Sequence, residues 1–145
     1  MKALEFITPQ KGIGPIEFGI TREKALEILG QPTEIESVND EDDMYNGEVW
    51  HYDELEISLS FDEDSDWQLF EMSVASPDIS IGGKLKVGMD LASLKNQLNE
   101  MGWDDYDTDS MKVNNTEEIY VLELVSHNVL FWFEDGLVCE IQFSL

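Results

Sequence analysis

Lysine and arginine are missing from the whole stretch between Lys24 and Lys84, 59 positions that carry 17 aspartates and glutamates. Across all 145 residues the formal charge is −24 at pH 7. Like charges on one compact body repel, so such a balance costs stability and persists where it has a use. A phosphate backbone or an anionic membrane surface would be repelled by it, which excludes nucleic acid and lipid as expected partners. Capture of a basic protein and simple solubility are the two uses left. Cysteine is almost as scarce: Cys139 stands alone and cannot form an internal disulfide, which fits a reducing compartment. No apolar run approaches the roughly 20 residues of a membrane span. The opening Met1-Lys2-Ala3-Leu4-Glu5-Phe6 has no apolar core and no small-residue cleavage site, so no secretory signal is expected and the expected address is cytoplasmic.

What is present argues for a folded chain. High net charge with little hydrophobicity would read as disorder, but 42% of the residues are hydrophobic and 10% aromatic, in ordered alternation. The length is that of one domain. Within it, Gly14-Pro15-Ile16-Glu17-Phe18-Gly19-Ile20-Thr21 is echoed 69 positions later by Gly83-Lys84-Leu85-Lys86-Val87-Gly88-Met89-Asp90. Each copy runs from a glycine turn through an apolar–polar–apolar triplet to a helix-capping Thr or Asp. Thr21 caps a helix with the stripe Ala25, Leu26, Ile28 and Leu29, stopped by Gly30 and Pro32; Asp90 caps a second with Leu91, Leu94, Leu98 and Met101, stopped by Gly102.

Strands follow in both copies. Leu55, Ile57, Leu59 and Phe61 alternate with polar residues, as do Phe70, Met72 and Val74 beyond a turn at 62–66. Val129, Phe131 and Phe133 pass through Asp135-Gly136 into Leu137, Cys139, Ile141 and Phe143, and the Asp-Gly pair marks a tight hairpin. Phe61 aligns with Phe133 and Glu71 with Glu140, so the first hairpin is three residues longer. Shorter strands are expected at 49–52 and 119–125, and the acidic segments 34–48 and 103–118 are expected as exposed loops. The expected fold class is α+β: one domain made of two repeats, about 12–78 and 82–145, forming one continuous sheet with helices packed on one face.

The strand ending in Phe18-Gly19-Ile20-Thr21 or Val87-Gly88-Met89-Asp90, followed by a helix closing on Leu29-Gly30-Gln31-Pro32, resembles the small α+β unit of outer-membrane assembly lipoproteins. In tandem the pattern resembles the β-lactamase-inhibitor-protein family, and several small acidic immunity proteins of bacterial toxin systems are similar in size and charge. The resemblance covers roughly 13–145. It implies a protein-binding sheet. The second copy lacks the Gly-x-Pro stop, and the family's lipoprotein cysteine and paired disulfides are missing.

Motifs for chemistry are weak. Asp62-x-Asp64-x-Asp66 and Asp105-x-Asp107-x-Asp109 open like calcium loops, but position six is Trp67 or Ser110 where glycine is required, and position twelve is Ser73 or Thr116 where glutamate is required. His51 and His127 lack zinc-ligand spacing. His51 beside Asp53 reads as ordinary strand alternation, and Cys139, placed on one strand face with Leu137, Ile141 and Phe143, as a buried inert thiol. Gly12-x-Gly14 precedes a strand and not a helix N-terminus. Neither an enzyme nor a cofactor or metal site is expected.

The oddity lies on the expected wet face of the sheet, where the first copy offers Glu56, Ser58, Ser60, Glu71 and Ser73 and the second offers Asn128, Leu130, Trp132, Glu140 and Gln142. A tryptophan beside a leucine there invites a partner, unless 103–118 folds over them. The expected partner-binding set is therefore Asp40, Glu41, Asp42, Asp43, Asp62, Asp64, Asp66, Asp104, Asp105, Asp107 and Asp109 for steering, with Trp67, Leu130 and Trp132 as anchors. Trp67 has a competing role as a staple for its own hairpin. The functional expectation is a stoichiometric protein-binding inhibitor, specifically an immunity protein for a basic, nuclease-type toxin. The alternatives are an acidic housekeeping domain and a nucleic-acid mimic.

Overall fold

The computed structural model describes residues 4–42 and 44–145. It corrects the expected fold class. The chain is β-rich, with 51% of residues in strands and 17% in helices, and is not an α+β arrangement of helices laid on a sheet. Eight strands form one antiparallel sheet in the order β10-β11-β12-β13-β7-β6-β5-β4. These are β4 (Glu34–Asp40), β5 (Tyr45–Tyr52), β6 (Ile57–Asp62), β7 (Leu69–Val74), β10 (Tyr106–Val113), β11 (Thr116–Leu124), β12 (Val129–Glu134) and β13 (Leu137–Ser144). Five very short strands form a second sheet: β1 (Phe6–Thr8), β2 (Gly12–Ile13), β3 (Ile16–Glu17), β8 (Ser80–Ile81) and β9 (Leu85–Lys86). Two helices complete the layer, α1 (Arg22–Leu29) and α2 (Leu91–Glu100).

Both helices start as their caps dictate. Thr21 Oγ1 accepts from the Lys24 amide at 3.2 Å and Asp90 Oδ1 from the Ser93 amide at 2.8 Å. With eight and ten residues, each depends on burying one stripe, and Ala25, Leu94 and Leu98 enter the core. There they meet Ile13, Ile16, Ile81 and Leu85 of the small sheet, and Leu59, Phe61, Met72, Phe131, Ile141 and Phe143 from one face of the large one. The core is thus a sandwich filling, and the other face of the large sheet points outward.

The misjudged helix share and the misjudged loops have one cause. Segments 34–48 and 103–118 are not loops; they form β4, β10 and parts of β5 and β11. All residues of β4 and all but the first of β10 are exposed. A strand that reaches past the core has two wet faces and loses the apolar alternation that identifies strands.

Two corner contacts tie the layers together. Gly19 N–H donates to Leu69 C=O at 2.9 Å and Leu69 N–H to Ile20 C=O at 2.9 Å; Gly88 with Val138 and Val138 with Met89 do the same at 2.8 and 2.9 Å. At the sheet centre β13 lies antiparallel to β7, with Ile141 opposite Val74 and Phe143 opposite Met72. The β12–β13 turn holds Asp135 and Gly136 at φ of 53° and 81°, the left-handed pair a two-residue hairpin needs.

Candidate protein-binding face

Side chains along a strand alternate between faces, so the ladder register assigns the outward set once the core-facing residues are known. From one edge to the other it includes Glu34, Glu36, Val38 and Asp40 on β4; Tyr45, Gly47, Val49 and His51 on β5; and Ser58, Ser60 and the buried Asp62 on β6. Beyond the midline it continues with Glu71 and Ser73 on β7, Glu140 and Gln142 on β13, Leu130 and Trp132 on β12, Val121 and Glu123 on β11, and Asp107 and Asp109 on β10. Nine of these are carboxylates, and none is lysine or arginine. Lys11, Arg22, Lys24, Lys84, Lys86 and Lys95 all belong to the helices, the small sheet and its turns. Lys112 sits on β10 opposite Glu117. The charge is sorted by layer.

Three β-bulges shape this face. The register slips between Ser60 and Phe61, between Trp132 and Phe133, and between Asp109 and Ser110, the last leaving Tyr120 as an unpaired extra residue beside Trp132. On the strands opposite, Phe70 and Cys139 become the unpaired extra residues, so Leu69 and Val138 turn inward in their place. This corrects the placement of Cys139 on one face with Leu137, Ile141 and Phe143: the thiol is half-buried at a bulge, and Leu137 is 47% exposed. Burial, with Glu134 and Glu140 nearby, pushes the Cys139 thiol up.

Trp132 and Leu130 are half-buried where the sequence placed them, and the β10–β11 hairpin extends the sheet beside them and does not fold over them. The Trp132 ring stacks on Tyr120 at 6.3 Å between centroids. Its Nε1–H donates to Gln142 Oε1 at 2.9 Å, and Gln142 Nε2 donates to Glu71 Oε1 at 2.7 Å. Burial pushes the Glu71 carboxyl up, against the Gln142 hydrogen bond that lowers it, with Glu140 raising it further. Toward the other edge, His51 bridges Ser58 Oγ at 2.8 Å and Glu36 Oε1 at 3.1 Å, so its partners are these and not Asp53.

The expected steering residues scatter. Asp40, Glu41 and Asp42 lie at the exposed end of the β4–β5 hairpin, and Asp43 lies outside the described residues. Asp104, Asp105, Asp107 and Asp109 are exposed at and along β10. Asp105 accepts from the Ser126 hydroxyl and amide, which pulls its carboxyl down. Asp64 and Asp66 are exposed or nearly so, but Asp62 is a structural residue: it is buried, caps a short 3-10 turn by accepting from Ser65 N–H at 2.8 Å, and accepts from Tyr45 O–H at 2.9 Å. Trp67 is no protruding tip. It is half-buried against the core with the Arg22 guanidinium 4.3 Å above its ring, which is the staple geometry.

Comparison with known proteins finds no matching family model, no matching curated protein and no matching solved structure. Among the described residues no group of three or more His, Cys, Asp or Glu is arranged to hold a metal ion, and no helix is long and apolar enough to cross a membrane. The sequence missed Tyr120, Val121, Glu123, Glu34 and Glu36 as members of the outward face. Their signal was hidden in the segments read as loops or in strands of uncertain phase.

Proposed function

We propose that this chain is a stoichiometric protein-binding inhibitor that takes a basic protein onto the outward face of its eight-stranded sheet, and that it serves in the cytoplasm as the immunity protein of a nuclease-type toxin. One observation carries this reading: among the described residues the outward face holds nine carboxylates and no lysine or arginine, while the opposite layer mixes six of the bases with carboxylates such as Glu17, Glu23, Glu27 and Glu100. An acidic surface maintained for solubility alone has no reason to keep its bases off one face. A one-sided field orients a cationic partner during encounter and speeds its capture by roughly 10- to 1,000-fold. The half-buried Trp132, Tyr120 and Leu130 supply the apolar contact that steering by itself lacks. A toxin that handles nucleic acid carries a cationic cleft, and a face that mimics phosphate density occludes it.

The test compares two charge-reversed variants of equal net charge. One carries Glu34→Lys, Glu36→Lys, Asp107→Lys and Asp109→Lys on the outward face; the other carries Glu17→Lys, Glu23→Lys, Glu27→Lys and Glu100→Lys on the opposite layer. Tagged proteins are incubated with lysate of their own cells, and captured partners are eluted with a salt gradient and identified. Loss of a basic partner by the first variant and its retention by the second is the expected result. Equal behaviour of the two would reduce the acidity to a bulk property and sink the proposal.

A further inference from the structure

We infer that the β4 edge of the large sheet is a docking rail for an extended basic segment of the partner, which adds a ninth strand by main-chain hydrogen bonding. This rests on the reading above only for the sign of the partner's charge.

The large sheet ends in β4 on one side and β10 on the other. A terminal strand presents a row of backbone N–H and C=O groups that no neighbouring strand takes up, and proteins blunt such edges with bulges, proline, charged side chains or short length. The β10 edge is blunted by a register break at Asp109 and Ser110 and by Lys112. The β4 edge has only its carboxylates to blunt it. Its seven residues pair with β5 in unbroken register from Glu34–His51 to Asp40–Tyr45, they contain no proline, and all are exposed. Ile35 and Val38 stand 47% and 38% exposed on it.

Charge decides what docks there. A second copy joined edge to edge would set Glu34 and Glu36 against the same row of carboxylates, which is the like-charge juxtaposition that sheets avoid. A strand with lysine or arginine at alternate positions meets them favourably. The face beside Val38 adds a further requirement. Gly47 lies between Val38 and Asp62 in the ladder and contributes no side chain, while the bulge delivers Phe70, leaving an open cavity of about 280 Å³ lined by Val38, Tyr45, Val49, Ser60 and Phe70, with Glu48 and Glu71 also on its wall. An added strand that puts bases beside Glu34 and Glu36 puts its next residue on that face beside Val38, whose inner side walls this cavity, so a long apolar side chain can reach across Val38 to it. The segment recognised is therefore base, base and apolar at alternate positions, the β-augmentation mode with one pocket.

The probe is a capped seven-residue peptide with leucine, lysine and lysine at alternate positions and threonine between them, titrated into the full chain at low salt. Two N-methylated versions accompany it, one methylated on each alternate set of residues. Amide hydrogen exchange across 34–39 should slow at saturating peptide while β10 stays unchanged. One methylated peptide should bind roughly tenfold or more weakly, since its donors face β4, and the other should keep its affinity. Replacing lysine by glutamate in the peptide should abolish binding to the native chain and restore it to the Glu34→Lys, Glu36→Lys variant. Equal affinity for both methylated peptides, protection on β10 in place of β4, or no protection would overturn the rail. A failed rail alongside a positive charge-reversal result leaves a partner that docks by side chains on the outward face, so the two readings fail separately.

Discussion

Gln142 Nε2 donates to Glu71 Oε1 at 2.7 Å across the central β7–β13 pair, and the same Gln142 accepts from Trp132, so one amide links an acid of the first half to the indole of the second. The acid at the end of this relay is held partly away from water with no cation beside it among the described residues, and burial pushes its carboxyl up.

Glu71→Gln should therefore stabilise the chain at pH 7. A carboxyl whose folded-state value lies above its ordinary 4.5 binds protons more tightly when folded, so its charged form is a cost that appears as pH rises through the folded value. Below 4.5 the carboxyl is neutral in folded and unfolded chains alike, and the variant and parent should converge. Thermal melts from pH 4 to 8 check this. A gap between the two that narrows as pH rises would contradict it.

Tyr45 and Asp62 give a second prediction, at the other end of the scale. Burial first, then the hydrogen bond to Asp62, pushes the Tyr45 phenol up to about 12 from 10.0. The stability contributed by this pair is present below pH 10 and is lost as pH rises toward 12. Spectrophotometric titration should show two late-ionising tyrosines, Tyr45 and the Tyr52 that burial pushes up, and one of them should disappear in Tyr45→Phe. That variant should cost about 1–3 kcal/mol, because the buried Asp62 loses a donor, and Asp62→Ala should cost at least as much by also removing the Ser65 cap.

The Arg22 guanidinium over Trp67 is a folding contact, also tied to Glu48 Oε1 at 3.4 Å. Arg22→Ala should lower stability by about 1 kcal/mol and shift tryptophan emission, and Trp67→Ala should cost about 2–4 kcal/mol. Neither should change the dissociation rate of a captured partner. A faster release from Trp67→Ala at unchanged stability would return Trp67 to the interface.

Trp132 and the acidic rim should separate kinetically. Trp132→Ala should speed dissociation by roughly 10-fold or more with association little changed, as expected for a central anchor. Asp107→Asn with Asp109→Asn should slow association and flatten its dependence on salt. Association at 50 and 500 mM salt that is equal in the parent chain would rule out steering.

The sequence reading and the structure part company at identifiable residues. The strands β6, β7, β12 and β13 were legible because one face is core, and the helix caps Thr21 and Asp90 because an oxygen-bearing side chain before an apolar stripe has few other uses. Leu130 and Trp132 could be assigned outward from alternation alone. Glu34, Glu36 and the aspartates of β10 could not be assigned to strands, since both faces there are wet and the period-two signal is absent. Phe70 and Cys139 were put on the wrong face because a bulge inserts one residue into the count and reverses every assignment on one side of it. Asp62 looked like one more acid in a loop. Only the Tyr45 and Ser65 contacts, one of them 17 residues away, identify it as buried.

The position of β13 beside β7 has a consequence for synthesis. The ribosome makes β13 after every other strand of the sheet, yet that strand is needed at its centre, where Ile141 and Phe143 close over Val74 and Met72. Until it emerges, β7 waits with one side unpaired and the two halves have no common ladder. The nascent chain must stay apart from its neighbours on the same messenger throughout that interval, and a strongly negative chain repels its own copies.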